Sequence, residues 1–360
     1  KVMDKNSSAE KLKKNNLFFE IDGIKVGPEY PPLVIAEIGI NHNGSLELAK
    51  TLADSAHSAG VKIFKHQTHI AEYEMSKEAK KIIPVHTKEN IYDIIKNCSL
   101  SEEEEYELMV YVRKKGMTFI STPFSKQAAD RLRSWDVPAY KIGSGECNNY
   151  PLLDYIASFG KPIILSTGMN TIESISKAIS IIKSHGVPYA ILHTTNLYPT
   201  PNHLVRLGAI TDLINTFPDT IVGLSDHTIS NHSSFGAVAI GASIIERHYT
   251  DTMNRMGPDI VCSMDENECK RLIEGVQILF NQRGGKKIPV KEEKGTSDFA
   301  FASVISIKKI KKGEKFSKEN LWVKRPGTGE VKAENLRDIF GKTSLHDLEI
   351  DEFIKTKDFK

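Results

Sequence analysis

Eight short apolar runs punctuate the chain, at residues 33–38, 61–64, 117–120, 139–142, 162–165, 189–192, 220–224 and 243–245, and each ends in polar or ionisable side chains. Uninterrupted apolar runs of this length fit strands buried on both faces, as in a parallel sheet covered by helices. Stretches with helical spacing separate them. Leu46, Ala49, Leu52, Ala53 and Ala56 recur on one helical face before Gly60 stops the helix. Ser101 followed by Glu102, Glu103, Glu104 and Glu105 is an N-cap with an acidic first turn. Further helices are predicted over 125–135, 172–185, 204–216, 233–242 and 266–283. Eight strand–helix units in series predict an α/β fold of the (β/α)8 (TIM) barrel kind.

In such a barrel the strand C-termini share one rim, where chemistry takes place. The polar terminators would then surround one cavity: Glu37, Lys65 with Gln67, Thr122, Lys141 with Ser144 and Glu146, Ser166, Asn196 with Tyr198, Ser225 with His227, and Glu246 with His248. Core packing accounts for each of these singly, but not for all of them at the same end. The segment 67–99 is long for a strand-to-helix connection and is expected to carry a short helix of its own over the rim.

The texture changes after Arg283. Residues 286–298 are charged and read as a linker. From 299 to 360 short β runs (302–307, 321–324) alternate with turns, which predicts a small, mostly β module. The barrel is assigned to 17–285. Residues 1–16 are polar and lysine-rich and are expected to be a disordered extension. Beyond the strand–helix alternation there is no internal repeat.

Composition adds mainly exclusions. The 360 residues carry a net charge of +2, with no dominant basic tract, which argues against a nucleic-acid partner. The four cysteines (98, 147, 262 and 269) form no CxxC pair, so neither a zinc site nor a disulfide framework is suggested, and a reducing cytoplasm is the expected compartment. No long apolar stretch predicts a membrane segment.

His227 and His248 follow the seventh and eighth runs, which are neighbours in a barrel. Two imidazoles on adjacent strand ends suit a borderline divalent ion such as Mn, Fe, Co or Zn, with positions left for water and substrate. The alternative is that both merely hydrogen-bond. Glu37 neighbours them once the barrel closes and is placed to hold a water or act as a base. Lys65 and Lys141, with Thr122, Ser144 and Ser166, form a cradle for a phosphate or carboxylate. A Schiff base at one lysine, or a buried ion pair with Glu146 or Glu37, are the competing readings. Gln67, Glu146, Tyr198 and Asp259 have the hydrogen-bonding chemistry for a polyhydroxylated ligand. Arg325 would ordinarily be a solvated charge, and His42, His66, His69, His86 and His193 read as structural or surface residues.

Several stretches taken in order, Glu37-Ile38-Gly39-Ile40-Asn41-His42-Asn43-Gly44, Lys65-His66-Gln67-Thr68-His69, Ser121-Thr122-Pro123-Phe124, Tyr140 to Glu146, Leu165-Ser166-Thr167-Gly168-Met169, His193 to Pro199, Gly223-Leu224-Ser225-Asp226-His227 and Glu246-Arg247-His248, closely resemble the bacterial sialic acid (N-acetylneuraminate) synthases. The C-terminal module resembles the antifreeze-like SAF domain, with Arg325 where that domain presents a substrate-contacting arginine. The resemblance implies condensation of phosphoenolpyruvate with the open-chain aldehyde of N-acetylmannosamine or a related 2-acetamido sugar, with C–O cleavage and release of phosphate. It implies a divalent metal on His227 and His248, usually Mn, with Mg or Co as alternatives. Glu37 would position or deprotonate water. Lys65, Thr122, Lys141, Ser144, Ser166, Asn196 and Ser225 would bind phosphoenolpyruvate. Gln67, Glu146, Tyr198, Asp259 and Arg325 would contact the sugar. Arg325 would come from the partner in a domain-swapped homodimer. Precursors of legionaminic or pseudaminic acids are alternative sugars. Another metal-dependent barrel aldolase or hydrolase, and a non-catalytic carbohydrate- or ice-binding protein, are the readings from other classes.

Overall fold

The computed structural model of the chain describes residues 17–84 and 88–360; the expected extension 1–16 and His86 lie outside the described residues. The described residues divide along the sequence into two compact units, one ending at Gly284 and the other beginning at Gly285.

The first unit opens with a hairpin, β1 (Phe19–Ile21) and β2 (Ile24–Val26). It then alternates β3 (Leu33–Glu37), α1 (Leu46–Ser58), β4 (Ile63–Thr68), α2 (Ala71–Glu74), α3 (Ile91–Cys98), α4 (Glu102–Lys114), β5 (Thr118–Pro123), α5 (Lys126–Ser134), β6 (Tyr140–Ile142), α6 (Tyr150–Ala157), β7 (Ile163–Ser166), α7 (Ile172–Ser184), β8 (Tyr189–Thr194), α8 (Gly208–Thr216), β9 (Ile221–Asp226), α9 (His232–Ala239), β10 (Ile244–His248) and α10 (Glu266–Gln282). Strands β3 to β10 pair in parallel and close into an eight-stranded barrel, with β10 beside β3.

Most of these strands run further than the apolar runs predict. β4 continues through Lys65, His66, Gln67 and Thr68, and β10 through Glu246, Arg247 and His248. Ladder hydrogen bonds satisfy the backbone regardless of side-chain polarity, so the strand persists after hydrophobicity ends. Glu37, Lys65, Gln67, Thr122, Lys141, Ser166, Ser225, Glu246 and His248 therefore stand on strands, while Ser144, Asn196, Tyr198 and His227 lie just beyond strand ends.

Side chains alternate between the two faces of a strand. One parity faces the helices: Val34, Ala36, Phe64, Phe119, Tyr140, Ile163, Leu165, Ile191, Val222, Leu224 and Ile245 join the large core between sheet and helices. The other parity faces the barrel axis. Near the strand N-termini it is apolar, with Leu33, Ile35, Ile63, Ile120, Ala139, Ile164, Ala190, Leu192, Ile221 and Ile244. The hairpin seals this end with Phe19, Ile21 and Val26, which pack into the same cluster. Its turn is Asp22-Gly23, both at positive φ (51° and 78°), as a tight two-residue hairpin requires. The Asp-Gly pair between alternating apolar residues signals this hairpin in the sequence, and the strand pattern read above leaves it out.

The second unit contains a helical turn, Lys291–Glu293, then α11 (Lys294–Ala300), and an antiparallel pair, β11 (Ser303–Ser306) with β12 (Leu321–Lys324). Its own core gathers Val304, Ile310, Phe316, Leu321, Val331, Ile339, Leu348 and Ile354. Among the described residues no helix is long and apolar enough to cross a membrane.

Candidate active site

Two residues further along seven of the eight strands, the inward parity turns polar, and on β9 it does so at Ser225. Glu37 follows Ile35, Lys65 and Gln67 follow Ile63, Thr122 follows Ile120, Lys141 follows Ala139, Ser166 follows Ile164, Thr194 follows Leu192, and Glu246 and His248 follow Ile244. With Phe124, Gly143, Ser144, Gly145, Asn196, Tyr198, Ser225 and His227 they line a cavity of about 140 Å³. The pleat that builds the apolar plug thus also aims the polar groups inward.

Glu37 is buried and held from two sides. Lys65 Nζ lies 2.8 Å from its Oε2, and Gln67 Nε2 donates to its Oε1 at 2.6 Å. The Gln67 Oε1 accepts in turn from His69 Nε2 at 2.9 Å, so the amide's orientation is set. Lys65 also donates to Thr122 Oγ1 (3.2 Å). Glu246 stands between the lysines: its Oε1 is 3.5 Å from Lys65 Nζ, 3.7 Å from Lys141 Nζ and 3.3 Å from Ser225 Oγ, which donates to it. The ion-pair reading of the lysines is therefore partly realised, with Glu37 and Glu246 as the partners. Glu146 takes no part; it lies on the turn Ser144–Glu146 and accepts from Asn149 (2.6 Å). Sequence reasoning gave Glu246 no role, although it shares its inward parity with His248 two residues on.

The two lysines differ electrostatically. Burial pulls Lys65 down, but Glu246 and Glu37 reverse this and hold its ammonium above the ordinary lysine value. Burial lowers Lys141 to about 8; Glu246 opposes the shift and Lys65 adds to it. Lys141 donates to Ser166 Oγ at 2.7 Å. Ser144 Oγ accepts from the Gly168 N–H (3.0 Å), and Asn170 binds the Ser144 carbonyl (3.0 Å), so the β6 and β7 loops are tied together at the rim.

His227 and His248 rings are 5.4 Å apart. His227 Nδ1 donates to the Thr195 carbonyl at 2.9 Å, which leaves Nε2 as a bare lone pair. Burial and then the neighbouring His248 lower its pKa to about 3, so the ring is neutral. The Tyr198 ring stacks on His227 at 4.2 Å and meets His248 edge-on at 5.8 Å; burial raises its phenol. His248 Nδ1 is buried without a hydrogen bond, 3.6 Å from Asp259 Oδ2. Among the described residues no group of three or more His, Cys, Asp and Glu side chains is arranged to hold a metal. The donor set is thus two neutral-capable imidazoles with an orphaned ring nitrogen, which fits an ion that takes its remaining ligands from water or substrate.

Arg325 belongs to the second unit. It is exposed just after β12, with its guanidinium 5.7 Å from the Phe299 ring centre.

The NeuB family matches residues 52–288, about two thirds of the sequence, and the SAF domain family matches 301–360. The chain belongs to the NeuB family. An N,N'-diacetyllegionaminic acid synthase of Campylobacter jejuni is 36% identical, covering 90% of this chain and 98% of that protein. An uncharacterised protein of Methanocaldococcus jannaschii is 38% identical over 93% of this chain and 98% of its own length. The crystal structure of an N-acetylneuraminic acid (sialic acid) synthetase from Leptospira borgpetersenii, in complex with citrate, superposes with a TM-score of 0.72 at 30% identity, over 78% of this chain and 94% of that one. As a NeuB-family member with named synthases among its relatives, the chain is an enzyme of the nonulosonic acid synthase group, built as a closed barrel followed by a SAF domain.

Proposed function

We propose that this enzyme condenses phosphoenolpyruvate with the open-chain aldehyde of a 2-acetamido sugar, N-acetylmannosamine or a close relative, and releases inorganic phosphate by C–O cleavage. The observation that carries this is the convergence of two buried lysines, two carboxylates and two imidazoles in one cavity at the strand C-termini. Lys65 and Lys141, with Thr122, Ser144, Ser166, Asn196 and Ser225, supply cations and hydroxyl and amide donors for the carboxylate and phosphate of phosphoenolpyruvate. Its methylene carbon attacks the aldehyde carbon, water adds to the resulting cationic centre, and the tetrahedral adduct expels phosphate. Glu37, held by Lys65 and Gln67, receives the water's proton. Gln67, Tyr198, Asp259 and Glu146 orient the sugar, and the partner subunit's Arg325 completes its site across a homodimer. His227 and His248 would hold a divalent metal, Mn first and Mg or Co as alternatives, which when bound supplies Lewis acidity toward the aldehyde oxygen. The enzyme would work in the cytoplasm on small molecules, with neither nucleic acid nor membrane as partner.

The higher identity to the legionaminic acid synthase than to the human N-acetylneuraminate-9-phosphate synthase (36% against 30%) favours a 2,4-diacetamido-2,4,6-trideoxy sugar as the second reading. The test is phosphate release from phosphoenolpyruvate with Mn, across N-acetylmannosamine, its glucosamine epimer and the diacetamido sugars. Release that requires one sugar establishes the condensation and names the substrate. No release with any sugar, after metal loading is verified, refutes it.

A further inference from the structure

The outward face of β4 carries a buried polar set that the reaction itself does not use. His66 and Thr68 alternate with Lys65 and Gln67, so they project from the opposite side of the same strand. There they meet Glu105 of α4, which is 1% exposed although it sits among three other glutamates in that helix's first turn. Glu105 Oε1 accepts from His66 Nδ1 (3.1 Å) and from the Thr68 hydroxyl; its Oε2 accepts from Arg131 Nη1 of α5 (2.9 Å). Because Thr68 spends its proton on Glu105, Ser121 of β5 donates to Thr68 (2.7 Å).

With both rings neutral, the donors and acceptors from His42 to Glu105 fit one proton arrangement. His42 Nδ1 accepts from the Gly44 N–H (3.2 Å), so its proton is on Nε2. His42 Nε2 lies 3.3 Å from His66 Nε2, which must therefore accept, and His66 keeps its proton on Nδ1 for Glu105. The chain starts in the loop that follows Glu37. In that loop Gly39, at φ +51°, faces His248 so closely that a Cβ would stand 3.3 Å from the ring.

We infer that Glu105 is a positioning residue: through His66 and Thr68 it fixes the rotation of β4, so that Lys65 and Gln67 grip Glu37, and through His42 it holds the 39–44 loop against His248. The catalytic consequence rests on the function proposed above; the proton arrangement does not. A strand pinned on its outer face by three residues cannot roll without moving its inner face, and misplacing reacting groups by about 1 Å costs on the order of 100-fold.

The experiment uses the full chain in three test variants, Glu105→Gln, Thr68→Val and Thr68→Ser, and in two variants that serve only for assignment. Nitrogen-15 spectra of the histidine rings at neutral pH, assigned with His66→Gln and His42→Gln, should show His66 with its proton on Nδ1 and His42 with its proton on Nε2. Glu105→Gln should disturb the His66 pattern. Both Glu105→Gln and Thr68→Val should weaken phosphoenolpyruvate binding, read by direct titration, by about 10-fold or more. Thr68→Ser, which keeps the hydroxyl, should restore it. His66 protonated on Nε2 in the unmodified protein overturns the inference, as does unchanged phosphoenolpyruvate affinity in Thr68→Val. If Glu105→Gln does not fold, the Thr68 pair decides. Spectra and titration need no turnover, so an unmodified enzyme that binds phosphoenolpyruvate but releases no phosphate refutes the condensation and leaves this inference standing.

Discussion

Lys141 shows how one residue's surroundings set a working range. Its neutral form takes over as pH rises through about 8. An anion in the cradle needs the ammonium, so phosphoenolpyruvate affinity should be constant below pH 7 and weaken by up to about tenfold per pH unit above 8. Calorimetric titration from pH 6.5 to 9.5 checks this, and Lys141→Met should bind weakly with no such slope. His248 contributes differently. Replacing it with Ala removes one of two imidazoles and should lower metal-dependent turnover by at least about 100-fold with unchanged circular dichroism; turnover within a few-fold of the unmodified enzyme would remove His248 from the metal site. Arg325→Ala should raise the KM for the sugar by about tenfold or more while phosphoenolpyruvate KM stays within twofold, as expected for loss of one charge-assisted hydrogen bond.

At the scale of elements, the hairpin is the part of the barrel with a purely structural task. Ile21 is fully buried at the closed end, in the apolar cluster along the axis. Ile21→Ala should destabilise the first unit by about 2–5 kcal/mol in denaturant unfolding, with kcat unchanged in the folded population. The eight barrel strands and their order were legible because each is an apolar run between helical stretches. Their ends were less so, since hydrophobicity stops where the rim begins but backbone pairing does not. The candidate site was legible as strand-end chemistry, Lys65, Lys141, His227 and His248 above all. The role of Glu246 was not, because it arises only when β4 and β6 bring both lysines to it from far along the chain. His66 reads in the sequence only as a structural or surface histidine for the opposite reason: lying between two inward residues it faces outward, and nothing local announces that Glu105 waits there.

The whole molecule divides at a run of exposed residues, 284–290. Limited proteolysis should cut there first and leave two resistant fragments, because each unit has its own apolar core. Mass spectrometry of the fragments checks this; a first cut within α1 to α10 would show that the barrel is the weaker body. A SAF domain that retains its structure after the cut, while sugar-dependent phosphate release is lost, would place its contribution at the substrate rather than in stabilising the barrel.

Barrel closure also has a consequence for how the protein is made. β10 pairs with β3, and the two are separated by the entire intervening chain, with His248 opposite Glu37. During synthesis β3 emerges first and β10 last of the eight, so the nascent sheet keeps two open edges until residue 248 has left the ribosome. Such long-range parallel pairing is slow and exposes edges to other chains. The pairing that seals the ring also sets His248 beside Glu37, so the newborn polypeptide acquires its reaction centre at the moment it loses its last sticky edge.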